Sequence, residues 1–287
     1  MMNDIIISTE SSADLPEQIL KEYGIEVCSM DYLVDGKEYN TKTNHMPEKE
    51  FYGKMRNGAD VKTTQINLQS ATEFFGELLQ KGKDVLHISL SSGLSGTYQN
   101  LKTAGDELSK KSKNKIVVVD SLCASVGQGL LAIEVAKKAQ EDGMTVEKLA
   151  EFANQFKMKI NHIFTVDDLK YLVKGGRVSK TSAFLAGVLR IKPLMKMDDQ
   201  GKLAVTNKIF SRRLTIKKMA EKMMSNYDAH FNDIFICEAD CKDDAEQLAK
   251  LVEEQFGLKP TIVPLNYYIG SHAGPGTMSL FYVGDKR

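Results

Sequence analysis

The chain has 287 residues, 42% of them hydrophobic, and balances 38 Lys+Arg against 38 Asp+Glu for a formal charge of zero. That size and composition bound a soluble globular protein with one large or two modest domains. The missing basic surplus argues against nucleic acid as a main partner. Cys28, Cys123, Cys237 and Cys241 show neither C-x-x-C spacing nor a histidine at zinc-finger spacing, and they read as reduced thiols. The first residues, MMNDIIIS, lack the basic start of a signal peptide, and no apolar run approaches the ~18 residues of a membrane span. A cytoplasmic location is the expectation.

The first part alternates strand and helix. Residues 4–8 form a β-branched strand, followed by Ser11-Ser-Ala-Asp14-Leu15 and a helix over 16–23 closed by Gly24. A strand over 25–30 precedes a hairpin over 32–39, whose Asp35-Gly36 is a type I′ turn signal. Pro47 opens a helix to about residue 57, and Ser70-Ala-Thr-Glu73 reads as a capping box for a helix over 74–80. Then come a strand over 85–90, a Ser/Gly loop, a helix over 97–110, an apolar strand over 116–119 and an amphipathic helix over 127–141. Apolar strands alternating with helices imply a parallel sheet covered on both faces, with ligands beyond the carboxyl ends of the strands. The loops after the first, 85–90 and 116–119 strands should therefore share one edge.

The second part mixes helices with hairpins. Helices are expected over 146–158, through Tyr171, over 183–190, 211–227 and 243–256, and strands over 160–166, 191–197, 202–209, 234–239, 261–265 and 280–283. The reading is an α/β protein: an N-terminal parallel-sheet α/β domain over 1–157 and a C-terminal α+β domain with a mixed sheet over 158–287. The His272 loop packs back on the N-terminal site.

The stretch 89–99, SLSSGLSGTYQ, carries the most chemistry. Small residues feeding a helix N-terminus offer backbone N–H groups, hydroxyls and the positive end of the helix dipole, a site for a phosphate or a carboxylate. No Walker-type loop accompanies it: Gly76 and Gly82-Lys83 are one residue too far apart, and Asp84 stands where Ser or Thr is needed. Gly93-Leu-Ser95-Gly96-Thr97 resembles a nucleophile elbow without its final glycine, so a serine acyl hydrolase or transferase using Ser95 and His272 is one alternative, and plain helix capping is another. Cations gather at Lys174-Gly-Gly-Arg177 and over 211–218, where Arg212 and Arg213 occupy a helix start that the dipole disfavours for cations. Met195, Met197, Met219, Met223 and Met224 suit either core filling or an adaptable apolar pocket.

Ser11-Ser-Ala-Asp14-Leu15, Thr63-Thr-Gln65, Ser92-Gly-Leu-Ser95-Gly-Thr-Tyr-Gln99, Asp120-Ser121 with Gly127-Gln-Gly129, Asp168-Leu-Lys-Tyr171-Leu with Gly175-Gly-Arg177, Ile191-Lys-Pro193 and Ile269-Gly-Ser-His272-Ala-Gly-Pro-Gly276 stand in one order along the chain. Together they resemble the DegV family of bacterial lipid-binding proteins, over residues 5 to 283. The resemblance implies a long-chain fatty acid, with no other cofactor or metal, held in a tunnel. It implies that Thr63, Ser95, the Gly96 N–H and His272 hold the lipid carboxylate. It further implies a dihydroxyacetone-kinase-like acyl kinase subunit as partner, with Arg177 and Arg212 toward that partner or the acyl-phosphate, and transient contact with a membrane surface. Glu10, Ile66 and Ser279 depart from the residues usual in the family, Asp, Pro and Gly. A buried 16-carbon chain gains ~0.8 kcal/mol per CH₂, about 11 kcal/mol gross, so the head-group loop need only offset the desolvation of one carboxylate.

Overall fold

A computed structural model describes residues 5–179 and 191–287, so the helix expected over 183–190 lies outside the described residues. In chain order the elements are β1 (Ile5–Glu10), α1 (Glu17–Tyr23), β2 (Ile25–Cys28), β3 (Asp31–Val34), β4 (Lys37–Asn40), α2 (Glu48–Arg56), β5 (Val61–Thr63), α3 (Leu68–Leu79), β6 (Asp84–Ser89), α4 (Thr97–Ser109), β7 (Ile116–Asp120), α5 (Val126–Lys138) and α6 (Val146–Phe156). There follow β8 (Ile160–Thr165), α7 (Lys170–Lys174), β9 (Leu194–Met197), β10 (Leu203–Asn207), α8 (Arg212–Met224), β11 (Phe235–Glu238), α9 (Lys242–Phe256), β12 (Thr261–Pro264), α10 (Tyr267–Ala273) and β13 (Met278–Val283).

The first sheet has the order β2-β1-β6-β7 and is parallel throughout. Its order reverses direction between β1 and β6, so the loops leaving their carboxyl ends diverge and leave a crevice at that edge. The second sheet, β10-β9-β8-β13-β11-β12, is mixed: β11 and β12 run parallel and the other pairs antiparallel. A third, antiparallel sheet, β4-β3-β5, carries the expected hairpin, with Asp35 and Gly36 at φ of 51° and 80° as a type I′ turn demands.

Helix α5 joins the two large sheets. Every residue from Val126 to Ala136 is buried, because the helix packs against β1 and β6 on one side and β8 and β13 on the other. The amphipathic pattern expected for it gives way to a helix apolar nearly all round, as burial on several faces requires. The largest core cluster runs from Ile7 and Leu86 through Leu130 to Phe281 and Val283, crossing from one sheet to the other. A second cluster fills the far face of the mixed sheet, where Met219, Met223 and Leu248 of α8 and α9 meet Leu280 and Tyr282.

Two elements went unread in the sequence, β5 and α10, and one helix start is corrected. The capping box at Ser70 does not form. Helix α3 begins at Leu68, and its cap is Asn67, whose side chain accepts the Ser70 N–H at 2.9 Å. Asn serves because its carbonyl oxygen reaches an N–H of the first turn that has no partner within the helix. Asn67→Ala is expected to cost about 1 kcal/mol of stability. Ser70→Ala, in an exposed helical position, should change stability by less than about 0.5 kcal/mol. Urea unfolding of the two variants checks this, and equal losses would restore the cap to Ser70.

Candidate functional site

The mouth of the site is built on the loop between β6 and α4. Its first residue, Leu90, is held from below by Glu10 at the end of β1. The Glu10 carboxylate accepts the Leu90 N–H at 3.1 Å and the Ser89 hydroxyl at 2.6 Å, and it also accepts from the Gln128 amide of α5. His87 Nε2 lies 3.4 Å from the same carboxylate, and Ser8 Oγ is 2.9 Å from His87 Nδ1. All of these residues are fully buried. Ser91 O then accepts the N–H groups of Leu94 and Ser95, and Ser91 Oγ donates to Gly201 O in the β9–β10 turn at 2.7 Å. Gly93 passes so close to that turn that a Cβ would stand 2.7 Å from Gly201 O, so only glycine fits without moving backbone.

Three elements bring the expected residues together. Thr63 ends β5, Ser95 and Gly96 precede α4, and His272 lies on α10. Thr63 Oγ1 and His272 Nε2 are 2.7 Å apart. Arg177 sits behind them: its Nε and one terminal nitrogen donate to Leu94 O at 3.1 and 2.9 Å, and the other donates to Gly175 O and comes within 3.5 Å of His272 Nδ1. With a guanidinium facing Nδ1, that nitrogen is the acceptor, so Nε2 carries the proton and donates to Thr63 Oγ1. The Thr63 hydroxyl hydrogen is then available to a ligand.

Ser95 has the same arrangement. Its Oγ lies 3.0 Å from Thr97 Oγ1 and accepts the Thr97 N–H at 3.2 Å. Thr97 Oγ1 accepts the Ile66 N–H. While no anion is present the Ser95 hydroxyl donates to Thr97 Oγ1, and it can turn to an incoming anion with the Thr97 hydroxyl donating in its place. The Gly96 N–H makes no hydrogen bond among the described residues, and Gly96 is exposed. No hydrogen bond joins Ser95 to His272 among the described residues, so the nucleophile–base pair of the hydrolase alternative is not assembled.

Behind the mouth is a narrow, largely apolar cavity of about 80 Å³. It lies between the carboxyl-edge loops of the parallel sheet and the inner face of the mixed sheet. Leu90, Phe164, Leu172, Met197, Ile269 and Phe281 line it, with Ser95, Arg177 and His272 at one end. The outer groove that shares Ser95, Arg177 and His272 adds Thr63, Gln65 and Gly96. The cations along that groove are mostly paired: Lys62 and Lys174 with Asp60, Lys170 with Asp168, Arg56 with Asp240.

Arg212 is not brought to the mouth. It donates to Asp244 of α9 at 2.8 Å and to Cys241 at 3.5 Å, and it lines neither the cavity nor the groove. Of the methionines, Met197 lines the cavity, Met195, Met219 and Met223 are core, and Met224 is exposed. One residue was missed. Tyr268 lines both cavity and groove, and its hydroxyl has no hydrogen bond among the described residues. It stands four positions before His272 and so shares its face of α10. Among the described residues no cluster of His, Cys, Asp and Glu could hold a metal ion, and no helix is long and apolar enough to cross a membrane.

Fold and site together define an α/β protein of two large sheets and one small one, with an apolar cavity opening beneath a loop of uncharged donors. The chain belongs to the DegV family, whose model matches residues 4–285. A DegV domain-containing protein of Clostridium perfringens is 33% identical over 290 residues, covering 100% of this chain and 99% of the relative. A fatty acid binding DegV family protein from Streptococcus agalactiae has 28% identity and a TM-score of 0.85, covering 98% of this chain and 99% of that one. A DegV lipid binding protein from Thermotoga maritima has 26% identity and a TM-score of 0.83, covering 99% of both.

Burial, and secondarily the Arg177 cation, lower the His272 imidazole from its ordinary 6.5 to about 4. A histidine depressed in the folded state contributes stability that is present above about pH 6.5 and is lost as the pH falls through about 4. NMR titration of the His272 ring should give a midpoint near 4, and Arg177→Gln should move it upward without reaching the ordinary value. A wild-type midpoint at or above 6.5 would contradict the neutral imidazole.

Proposed function

We propose that this chain binds a long-chain fatty acid, with the acyl chain in the cavity and the carboxylate at the mouth. Thr63 and Ser95 supply hydroxyl donors, Gly96 a backbone N–H, and His272 orients Thr63. The observation that carries this reading is the junction itself: an apolar cavity opens at hydroxyls whose hydrogens can turn toward an anion, and no metal-holding cluster stands among the described residues. The descriptions of the Streptococcus agalactiae and Thermotoga maritima proteins as fatty acid and lipid binding support it.

The energetics agree. Apolar burial supplies most of the affinity at ~0.8 kcal/mol per CH₂. The mouth offsets the carboxylate's lost hydration by charge-assisted hydrogen bonds. Neutral donors leave the carboxylate oxygens nucleophilic, which suits presentation to a separate, dihydroxyacetone-kinase-like acyl kinase using ATP. The groove outside Gly96 is where such a partner would reach it, and Arg177 is the cation nearest the head group. Two units, 1–157 and 158–287, would then enclose the lipid between them.

Organic extraction of the purified chain, followed by mass spectrometry, should release about one long-chain fatty acid per chain. Ser95→Ala and Thr63→Val should each weaken palmitate binding about tenfold, the worth of one charge-assisted hydrogen bond, and leave palmitate methyl ester nearly unchanged. No extracted lipid and no palmitate uptake would overturn the reading. For the kinase step, a dihydroxyacetone-kinase-like protein with ATP should form acyl-phosphate only when the loaded chain is present. Failure there would remove presentation and leave binding intact.

A further inference from the structure

We infer that the cavity holds a second polar subsite, centred on Ser279, that accepts a hydroxyl carried within the acyl chain. This rests on the fatty-acid reading and narrows it to oxygen-bearing chains. Along β13 the side chains of Met278, Leu280 and Tyr282 belong to the cluster under α8 and α9. The alternation of a strand then turns Ser279 and Phe281 to the opposite face, and both line the cavity. Ser279 is only 6% exposed, and its hydroxyl makes no hydrogen bond among the described residues.

The other small hydroxyls on the cavity wall are satisfied. Thr277 donates to Ala273 O and Gly274 O, and Ser95 is paired with Thr97. Ser125 donates to the Asp14 carboxyl. Tyr268 lacks a partner too, but it also lines the outer groove and shares a helix face with His272, which assigns it to the carboxylate end. Ser279 lines the cavity and not the groove.

Ser279 has a complementary neighbour. Across the sheet it pairs in register with Cys237, whose sulfur lies 3.5 Å from Ser125 Oγ. Ser125 precedes α5 at a φ of 55°, a left-handed backbone that turns its side chain toward Asp14. Its hydrogen being committed to Asp14, Ser125 presents lone pairs to the cavity, while Ser279 presents a free hydrogen. An alcohol needs one acceptor and one donor, and this stretch of wall offers both. A saturated chain would leave the Ser279 hydroxyl buried against CH₂ groups, an arrangement native structures avoid.

The test uses the full chain with stearate and a set of hydroxystearates that differ only in the position of the hydroxyl. In an apolar cavity a buried hydroxyl without partners weakens binding by roughly tenfold or more. The expected result is that one isomer, or two adjacent ones, binds as tightly as stearate or tighter, while the rest are about tenfold weaker. Ser279→Ala should weaken the favoured isomer about tenfold and bind stearate as tightly as the wild type or tighter, which also reports that the variant is folded. Ser279→Thr, which keeps the hydroxyl, should restore the preference. Uniform weakening of every isomer in the wild type, or equal loss of stearate and hydroxystearate in Ser279→Ala, would overturn the subsite while fatty-acid binding stands. Failure of stearate and every isomer to bind would instead overturn the fatty-acid reading, and the subsite with it.

Discussion

The Glu10 carboxylate ties β1, the end of β6 and α5 together beneath the mouth, where no water reaches it. Three donors are directed at it, the Leu90 N–H, the Ser89 hydroxyl and the Gln128 amide, and His87 Nε2 stands 3.4 Å away. Gln128 also reaches Thr9 and Ile88 O, which lock the same two strands and the helix side by side. The arrangement depends on those donors, because leaving a buried polar group without its hydrogen-bond partner costs about 1–3 kcal/mol. The loop that begins at Leu90 therefore starts from a fixed point. The position of Ser95, five residues along, is inherited from that point and from the bonds at Ser91.

From that anchor the rest of the architecture can be seen as the enclosure of a space. A central helix buried on several faces separates two sheets, and the mixed sheet turns a face of Phe164 and Phe281 toward the loops of the parallel one. The cavity forms where neither α5 nor the loops fill the gap. Polar groups of its wall and mouth sit on or beside regular elements: Thr63 at the end of β5, Ser95 just before α4, Ser279 near the start of β13 and His272 in the last turn of α10. Rigid placement matters because a hydrogen bond weakens steeply with poor distance or angle.

Much of this was legible in the sequence, for identifiable reasons. Apolar strands alternating with capped helices marked the parallel sheet, and the order of motifs marked Thr63, Ser95, Gly96 and His272, which the fold gathers at one mouth. The helix start at Asn67 was displaced by three residues because Ser70 through Glu73 also satisfies a capping pattern, and only the backbone position of the first turn decides between them. β5 was invisible since Val-Lys-Thr is too short to show a period. α10 was hidden by Gly270 within it and by the Gly-Pro-Gly after it. Gly270 is there because a Cβ would come within 2.3 Å of the Tyr52 hydroxyl, a tertiary demand that overrides helix propensity. Without α10 the i, i+4 relation of Tyr268 to His272 could not be seen. Arg212 looked available for an anion because its partner Asp244 lies 32 residues away, on the next helix.

The paired donors at the mouth have one more consequence. Thr97 with Ser95, and His272 with Thr63, form two short chains in which each hydroxyl already has a neighbour when no anion is present. A carboxylate arriving there would need only the Ser95 and Thr63 hydroxyl hydrogens to turn toward it. On the proposed reading, the empty and loaded mouths would then have nearly the same shape. On that reading, a partner that has to distinguish a loaded chain from an empty one would have to contact the carboxylate itself, since the rim around it keeps one shape.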